Sequence, residues 1–361
     1  MLVAPDSFGG TLTAVEAAEA IAVGWRRRSP HDEIVLAPMS DGGPGFVDVL
    51  HASLGGELVS IPATDQYGDS TPAVVLRVDD TAYVESAQVC GLHLSDRRDP
   101  ERATAYGLGQ LISAAVGDGA RRIVTGLGGA GTNDGGGGLL AGLGATARPP
   151  RALRGGPRSL ELLEAVNLRA SRDHVAGIEI VIASDVDIPL LGLRGTTNTS
   201  GVARGLAEDR RQHVDAQLER LADATDRRLA DARGAGAGGG LGFALLLLGG
   251  HRVDGVTVVS DAVGLPDLAR GADLVVTGEG SFDFSSRSGK VPYGVAAIAG
   301  QAIRPCIALA GEVLVGMREM RTLGIESAYS VVDLTGRPAA LADPAGSLSM
   351  LAERVARSWS R

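Results

Sequence analysis

The run Gly278-Glu279-Gly280-Ser281-Phe282-Asp283-Phe284-Ser285-Ser286-Arg287-Ser288-Gly289-Lys290 ends on the only lysine of a 361-residue chain; all other members of its 34 Lys+Arg positions are arginine. Arginine presents a rigid planar fork. Lysine is a compact ammonium on a flexible stem that can follow a moving phosphate. An arginine-biased composition could leave one lysine by chance. Its place behind a glycine and a serine cluster makes anion handling the sharper expectation for Lys290.

A second set of chemically capable residues recurs in one context. Asp6, Asp41, Asp134, Asp185, Asp187, Glu279 and Glu312 each stand where an apolar, strand-like run ends, with glycine or another acid close by. Ligands of open α/β sheets bind beyond the carboxyl ends of strands. Any one of these acids could simply cap the following helix. The whole set suits a hydroxylated substrate, or Mg²⁺ carried with phosphate.

Two glycine loops complete the inventory. Gly126-Leu127-Gly128-Gly129-Ala130-Gly131-Thr132-Asn133-Asp134-Gly135-Gly136-Gly137-Gly138 follows a strand and formally matches G-x-G-x-x-G. A dinucleotide fingerprint would be followed about 20 residues later by an acid ending a second strand. The residues there are Ala147-Arg148-Pro149-Pro150-Arg151, which do not read as a strand, so a nicotinamide oxidoreductase is the weaker reading. Bare amides at a helix start still make an anion site. The loop Gly234-Ala235-Gly236-Ala237-Gly238-Gly239-Gly240 follows a helical pattern instead, and the alternative for both loops is close helix packing. There is no Walker A motif, because Ser288-Gly289-Lys290 runs into Val291, and no Gly-x-Ser-x-Gly elbow.

These residues need elements to position them. Leu2–Ala4, Glu33–Pro38, Arg122–Thr125, Glu179–Ala183, Asp273–Thr277, Cys306–Ala310 and Tyr329–Asp333 read as strands. Ala14–Arg28, with Thr13 and Glu16 as a capping box, Gly45–Leu54, Tyr106–Val116, His213–Arg233 and Phe243–Leu248 read as helices. Between Glu57 and Val89 the texture is short β runs with hairpins at Tyr67-Gly68-Asp69 and Asp79-Asp80, and Arg148–Pro157 reads as a surface loop. Strand–loop–helix alternation predicts parallel sheets. The fold expected is α/β with two domains. A Rossmann-like parallel-sheet domain is formed by both termini, residues 1–60 with 265–361. A second α/β domain, 61–264, is inserted, with the active site in the cleft between them.

Bulk properties narrow the function. Net charge is −9, without a basic stripe, which argues against nucleic acid. The apolar fraction is 44% but aromatics only 3%, so the cores must be aliphatic. Cys90 and Cys306 lack disulfide or metal spacing, and the six histidines are scattered. The start of the chain has no signal-like segment and no apolar run reaches a membrane span. A cytoplasmic protein with a small-molecule substrate is expected, and a homodimer is left open.

In order along the chain, Ala4-Pro5-Asp6-Ser7-Phe8-Gly9-Gly10, Ser40-Asp41-Gly42-Gly43-Pro44-Gly45, Gly128-Gly129-Ala130-Gly131-Thr132-Asn133-Asp134-Gly135-Gly136, Ser184-Asp185-Val186-Asp187-Ile188-Pro189-Leu190, Gly234–Phe243 and Thr277-Gly278-Glu279-Gly280-Ser281-Phe282-Asp283 with Gly289-Lys290-Val291-Pro292 resemble the motifs of the bacterial glycerate kinase family. Members phosphorylate D-glycerate with ATP, usually at the 2-hydroxyl. The chain departs from the family's motifs at Gly9 (lysine), Pro44 (glutamate), Ser281 (arginine) and Asp187-Ile188, where the asparagine before Pro189 is missing. Two of the losses remove cations, so either Arg287 or another arginine substitutes, or the substrate differs, or activity is low. A member that has lost catalysis and binds ligand for regulation is the second reading.

The resemblance implies ATP and Mg²⁺ as cofactors. ATP phosphates are expected on Gly128, Gly129, Thr132, Asn133, Asp134, Gly236, Gly238 and Gly239, with Mg²⁺ at Asp187. Substrate contacts are expected from Ser7, Asp41, Gly42, Gly43, Glu279 and Asp283. The catalytic candidates are Asp185 as proton acceptor, Asp6 as its alternate, and Lys290.

Overall fold

A computed structural model describes residues 1–283 and 289–360. Arg287, the candidate stand-in for a lost cation, lies outside the described residues. The chain forms two compact units: residues 1–41, 48–55 and 254–361 make the first, and 42–47 with 56–253 the second.

The first unit is built on a five-stranded parallel sheet. Its order is Ser327–Ser330, Cys306–Ala310, Val275–Thr277, Leu2–Val3, Val35–Leu36. Strands from both chain ends are therefore neighbours, with Leu2 opposite Val275. The strand interiors are buried aliphatics such as Val3, Val276, Ile307 and Leu309, as parallel strands covered on both faces require. Helix Ala14–Arg28 opens with the expected capping box: Thr13 accepts from the Glu16 amide, and Glu16 reaches back to the Thr13 amide at 2.8 Å. It packs against the C-terminal helix Pro344–Trp359. Trp25 is buried in this core, with its indole N–H held by Asp32 at 2.8 Å.

The second unit carries a six-stranded mixed sheet in the order His251–Val253, Glu179–Ala183, Arg122–Gly126, Thr81–Glu85, Ser70–Val78, Glu57–Thr64. The first four strands are parallel, and the last two join antiparallel through the expected hairpins. Asp65 shapes the first turn by accepting the amides of Tyr67 and Asp69. Leu108, Leu111, Ile123, Leu139, Phe243 and Leu245 belong to its largely aliphatic core, Phe243 being its aromatic member here.

Several elements differ from the sequence reading, among them the following three. The strand at 327–330 stops at Ser330, whose hydroxyl accepts the Asp333 amide and caps the helix Val331–Thr335. N-cap chemistry outweighed the β propensity of Val331-Val332. The helix expected over 213–233 is Arg211–Asp223 followed by a separate 3₁₀ turn, Arg227–Asp231, capped by Asp226. Thr146–Arg148 is a short strand, paired antiparallel with Ala165–Asn167 in its own ribbon rather than in the parallel sheet. Among the described residues no helix is long and apolar enough to cross a membrane. Cys90 and Cys306 are buried free thiols, as expected.

Candidate functional site

In the first unit the tips of adjacent strands gather acids around the lone lysine. The chain leaves strand Leu2–Val3 and turns at Asp6, whose amide donates to the Gly278 carbonyl at 2.8 Å. Asp6 Oδ1 accepts the Ser7 amide at 2.7 Å. Glu279, buried beyond strand Val275–Thr277, lies 4.0 Å from the Lys290 ammonium. Lys290 is the N-cap residue of helix Val291–Gln301, with Pro292 in its first turn. A cation at a helix N-terminus opposes the macrodipole, so the acids beside it, or a bound anion, are what favour it there.

This crowding changes Asp6. Loss of water around its half-buried carboxyl, then the charges of Asp41 and Glu279, push its pKa up to about 8, against the pull of the Ser7 amide and Lys290. Near neutral pH it is thus a carboxyl poised to exchange a proton, the condition a general base or acid needs. Asp283 sits two residues past Ser281 and is half-buried. Glu312 is paired with Arg337.

In the second unit the loops at the ends of the parallel strands form a cradle. Gly42 and Gly43 lie across the tips of strands Arg122–Gly126 and Glu179–Ala183: the Gly128 amide donates to the Gly42 carbonyl at 2.9 Å, and a Cβ on Gly128 would meet Gly43 Cα at 2.4 Å. Glu85, at the tip of Thr81–Glu85, anchors the same stretch by accepting the amides of Gly45 and Val47. It carried no motif signal, since an acid ending a β-rich run just after a hairpin signal reads as ordinary strand.

In the glycine loop after strand Arg122–Gly126, part of the expected bare-amide set is engaged within the protein. The amides of Gly128, Gly131 and Gly135 donate to the carbonyls of Gly42, Cys90 and Gly239. Those of Gly136 and Gly138 donate to Asp134, which also accepts from Ala105. Asp134 is buried and its pKa is raised by desolvation, with those three amides opposing the rise. Its carboxylate thus clasps the loop from within. Gly238 and Gly239 are buried against this loop, at Leu127 and Thr132, whereas Gly236 is buried against Ile188 and Pro189, its amide donating to the Ile188 carbonyl.

Gly238, Gly239 and Gly240 all have positive φ, and a Cβ on Gly239 (φ +75°) would fall 1.8 Å from the Thr132 carbonyl oxygen. Gly239→Ala is therefore expected to destabilise the protein by roughly 3 kcal/mol or more, combining left-handed strain with overpacking. Gly117→Ala is the control: it ends a helix, with nothing within 4 Å of its added Cβ, and should be neutral or slightly stabilising. Denaturant melts of the two variants check this.

Around Asn133 the sequence missed a residue. Arg204 is buried, with its Nε donating to the Ala130 carbonyl (3.1 Å) and its Nη1 to Asn133 Oδ1 (3.5 Å) and Thr196 Oγ1 (3.3 Å). Asn133 in turn donates to Thr197 at 3.0 Å. Thr132, Asn133, Thr196 and Thr197 are all buried. Nothing in the local sequence separates Arg204 from the many surface arginines. Asp185 follows strand Glu179–Ala183 with its Oδ2 sealed from solvent. Asp187, expected at a metal, is exposed and gripped by Arg233 through contacts of 2.6–2.9 Å, which hold its pKa down. A cation there would have to displace that guanidinium.

The comparisons with known proteins agree in one direction. The profile of the Glycerate kinase family matches residues 1–360. The chain is 35% identical over 343 residues to glycerate kinase of Bacillus subtilis, covering 92% of this chain and 90% of that one. It is 33% identical over 347 residues to glycerate 2-kinase of Escherichia coli, covering 93% and 91%. Among solved structures, the "putative glycerate kinase 2 from Salmonella typhimurium LT2" superposes with a TM-score of 0.83 at 32% identity, covering 99% of this chain and 97% of that one. On a match that runs from the first strand to the last helix, the chain belongs to the glycerate kinase family.

Proposed function

We propose that this protein transfers the terminal phosphoryl group of ATP to a hydroxyl of D-glycerate, at the 2-position named for the Escherichia coli relative. The observation that carries the reading is the gathering of Asp6, Asp41, Glu279 and Lys290 at the strand tips of the first unit. Phosphoryl transfer asks a protein mainly for positioning and charge neutralisation, plus a group to take the attacking hydroxyl's proton. Asp6 accepts that proton, because its carboxyl holds a proton near neutral pH far better than an ordinary carboxylate. Lys290 faces the charge that develops on the transferred group. Ser7, Asp41 and Glu279 orient the acceptor, and Asp283 completes its surroundings.

In the second unit the loops carrying Gly128, Gly129, Thr132, Asn133 and Gly236–Gly239 serve the nucleotide phosphates, with Asp134 maintaining the loop's shape. Among the described residues no group of three or more His, Cys, Asp or Glu is arranged to hold a metal ion. Mg²⁺ of the kinase type is held by one or two carboxylates together with substrate phosphates rather than by a dedicated protein cage. When bound, it neutralises phosphate charge. Asp185, with one oxygen in a dry environment, is the carboxylate of the second unit best placed by its strand-tip position to take part.

Coupled turnover of ATP with D-glycerate and a panel of other hydroxy acids tests the reading. D-glycerate is expected to be the preferred acceptor. Asp185→Asn is expected to lower kcat by about 10²-fold, within the range for loss of an acid–base or charge-stabilising group. Nucleotide binding without turnover on any hydroxy acid would reject the kinase reading.

A further inference from the structure

Arg204 is a buried cation without a matching anion. Its three hydrogen-bond acceptors, the Ala130 carbonyl, Asn133 Oδ1 and Thr196 Oγ1, are all neutral. No carboxylate of the described residues approaches within the 4.0 Å of an ion pair. Burial normally requires a charge to be paired, and most other arginines of this chain that lie near acids are paired on the surface, as Arg210 is with Glu101 and Arg233 with Asp187. Burial lowers the Arg204 pKa only to about 10, so the group remains a cation at neutral pH.

The three contacts use Nε and Nη1. They fix the guanidinium plane and, among the described residues, leave Nη2 without a protein partner. The surroundings are those of a built site. Asn133 and Thr197 are buried and bonded to one another, and the buried Thr132 hydroxyl has no hydrogen-bond partner among the described residues. In the neighbouring glycine loop the amides of Gly128, Gly131, Gly135, Gly136 and Gly138 already donate within the protein, so these five are not offered to a ligand. A preorganised guanidinium beside such a loop is what recognition of a substrate oxyanion requires.

We propose that Arg204 is an anion-binding residue of this enzyme, its Nη2 receiving an oxyanion of the substrates, with Asn133 and Thr196 holding the guanidinium in place. The oxyanion is a phosphate oxygen of the nucleotide or the carboxylate of the acceptor acid. This deepens the kinase reading and rests on it for the identity of the ligands, though not for the existence of the site.

The test measures the affinities of purified protein for inorganic tripolyphosphate and for D-glycerate separately, by calorimetry, in wild type, Arg204→Lys and Arg204→Met. Loss of about tenfold or more in tripolyphosphate affinity, with D-glycerate binding retained, assigns the anion to the nucleotide; the reverse pattern assigns it to the acceptor. Both affinities within twofold of wild type in a folded variant would overturn the proposal and leave Arg204 a purely structural residue. Should neither variant fold, a crystal structure of the wild type with a non-hydrolysable ATP analogue and D-glycerate decides. An oxygen within 3.5 Å of Nη2, a hydrogen-bond reach, supports the site, and an occupied active site with none there refutes it. Failure of glycerate turnover with tripolyphosphate binding still dependent on Arg204 would sink the kinase reading alone. Unchanged kcat/KM for both ATP and D-glycerate in Arg204→Met would sink the Arg204 assignment alone.

Discussion

Asp6→Asn is expected to lower kcat by about 10²–10⁴-fold while making the folded protein more resistant to heat at alkaline pH. The two effects have one origin. Asparagine keeps an oxygen to accept the Ser7 amide, but it cannot take a proton from the attacking hydroxyl. It also cannot ionise beside Asp41 and Glu279. In the wild type the folded-state pKa of Asp6 is raised from 3.8 to about 8. Between those values the unfolded chain releases this proton before the folded chain does. Its contribution to stability is therefore fully present below about pH 4 and is lost progressively as pH rises through about 8. The melting temperature of Asp6→Asn should match wild type near pH 4 and exceed it increasingly up to about pH 8, with no further divergence above. A difference that stays flat from pH 5 to 9 would show that Asp6 is not held protonated by the fold. The pH dependence of wild-type kcat/KM gives the kinetic counterpart. It should rise with pH with an apparent pKa near 8, a property of Asp6 together with Asp41 and Glu279 rather than of one carboxyl. A limb in the ordinary carboxylate range would transfer the proton-accepting role to Asp185.

Lys290→Ala carries the second large effect. The ammonium lies 4.0 Å from Glu279 and draws the Asp6 pKa down. Removing it should reduce kcat by about 10²–10³-fold, the usual cost of losing a preorganised group that stabilises developing charge. It should also leave Asp6 harder to ionise, so the acid limb of kcat/KM moves to higher pH. Lys290→Arg separates charge from shape. The arginine should return the limb toward its wild-type position yet recover only part of kcat, because a planar fork does not replace a compact ammonium. Single-turnover rates across pH 6–10 for the three proteins check both statements. An unchanged limb in Lys290→Ala would disconnect Lys290 from the acid cluster.

Much of the architecture was legible locally. Strands Glu179–Ala183 and Cys306–Ala310 and helix Ala14–Arg28 have the bounds that periodicity and capping predict, since apolar spacing and a Thr-x-x-Glu box act within one turn of chain. Two of the differences fell where a local hydrogen bond competed with propensity, at Ser330 and at Asp226. The glycine loops were visible as chemistry-bearing segments, but not the fate of their amides. Whether Gly128 or Gly136 offers its N–H to a ligand depends on Gly42 and Asp134 arriving beside them. Asp187, expected at a metal from its place in the chain, is held by Arg233, a partner distant in sequence.

The amino-acid order by itself determined the alternation of strands and helices, the acids at the strand ends, the two glycine loops and the single lysine that mark the family. It could not set the proton affinity of Asp6, nor distinguish Arg204 from its exposed counterparts. Both depend on how much water is removed from a group and which charges or dipoles replace it. Residues as far apart in the chain as Asp6 and Glu279, or Ala130 and Arg204, supply those surroundings only after the backbone has folded.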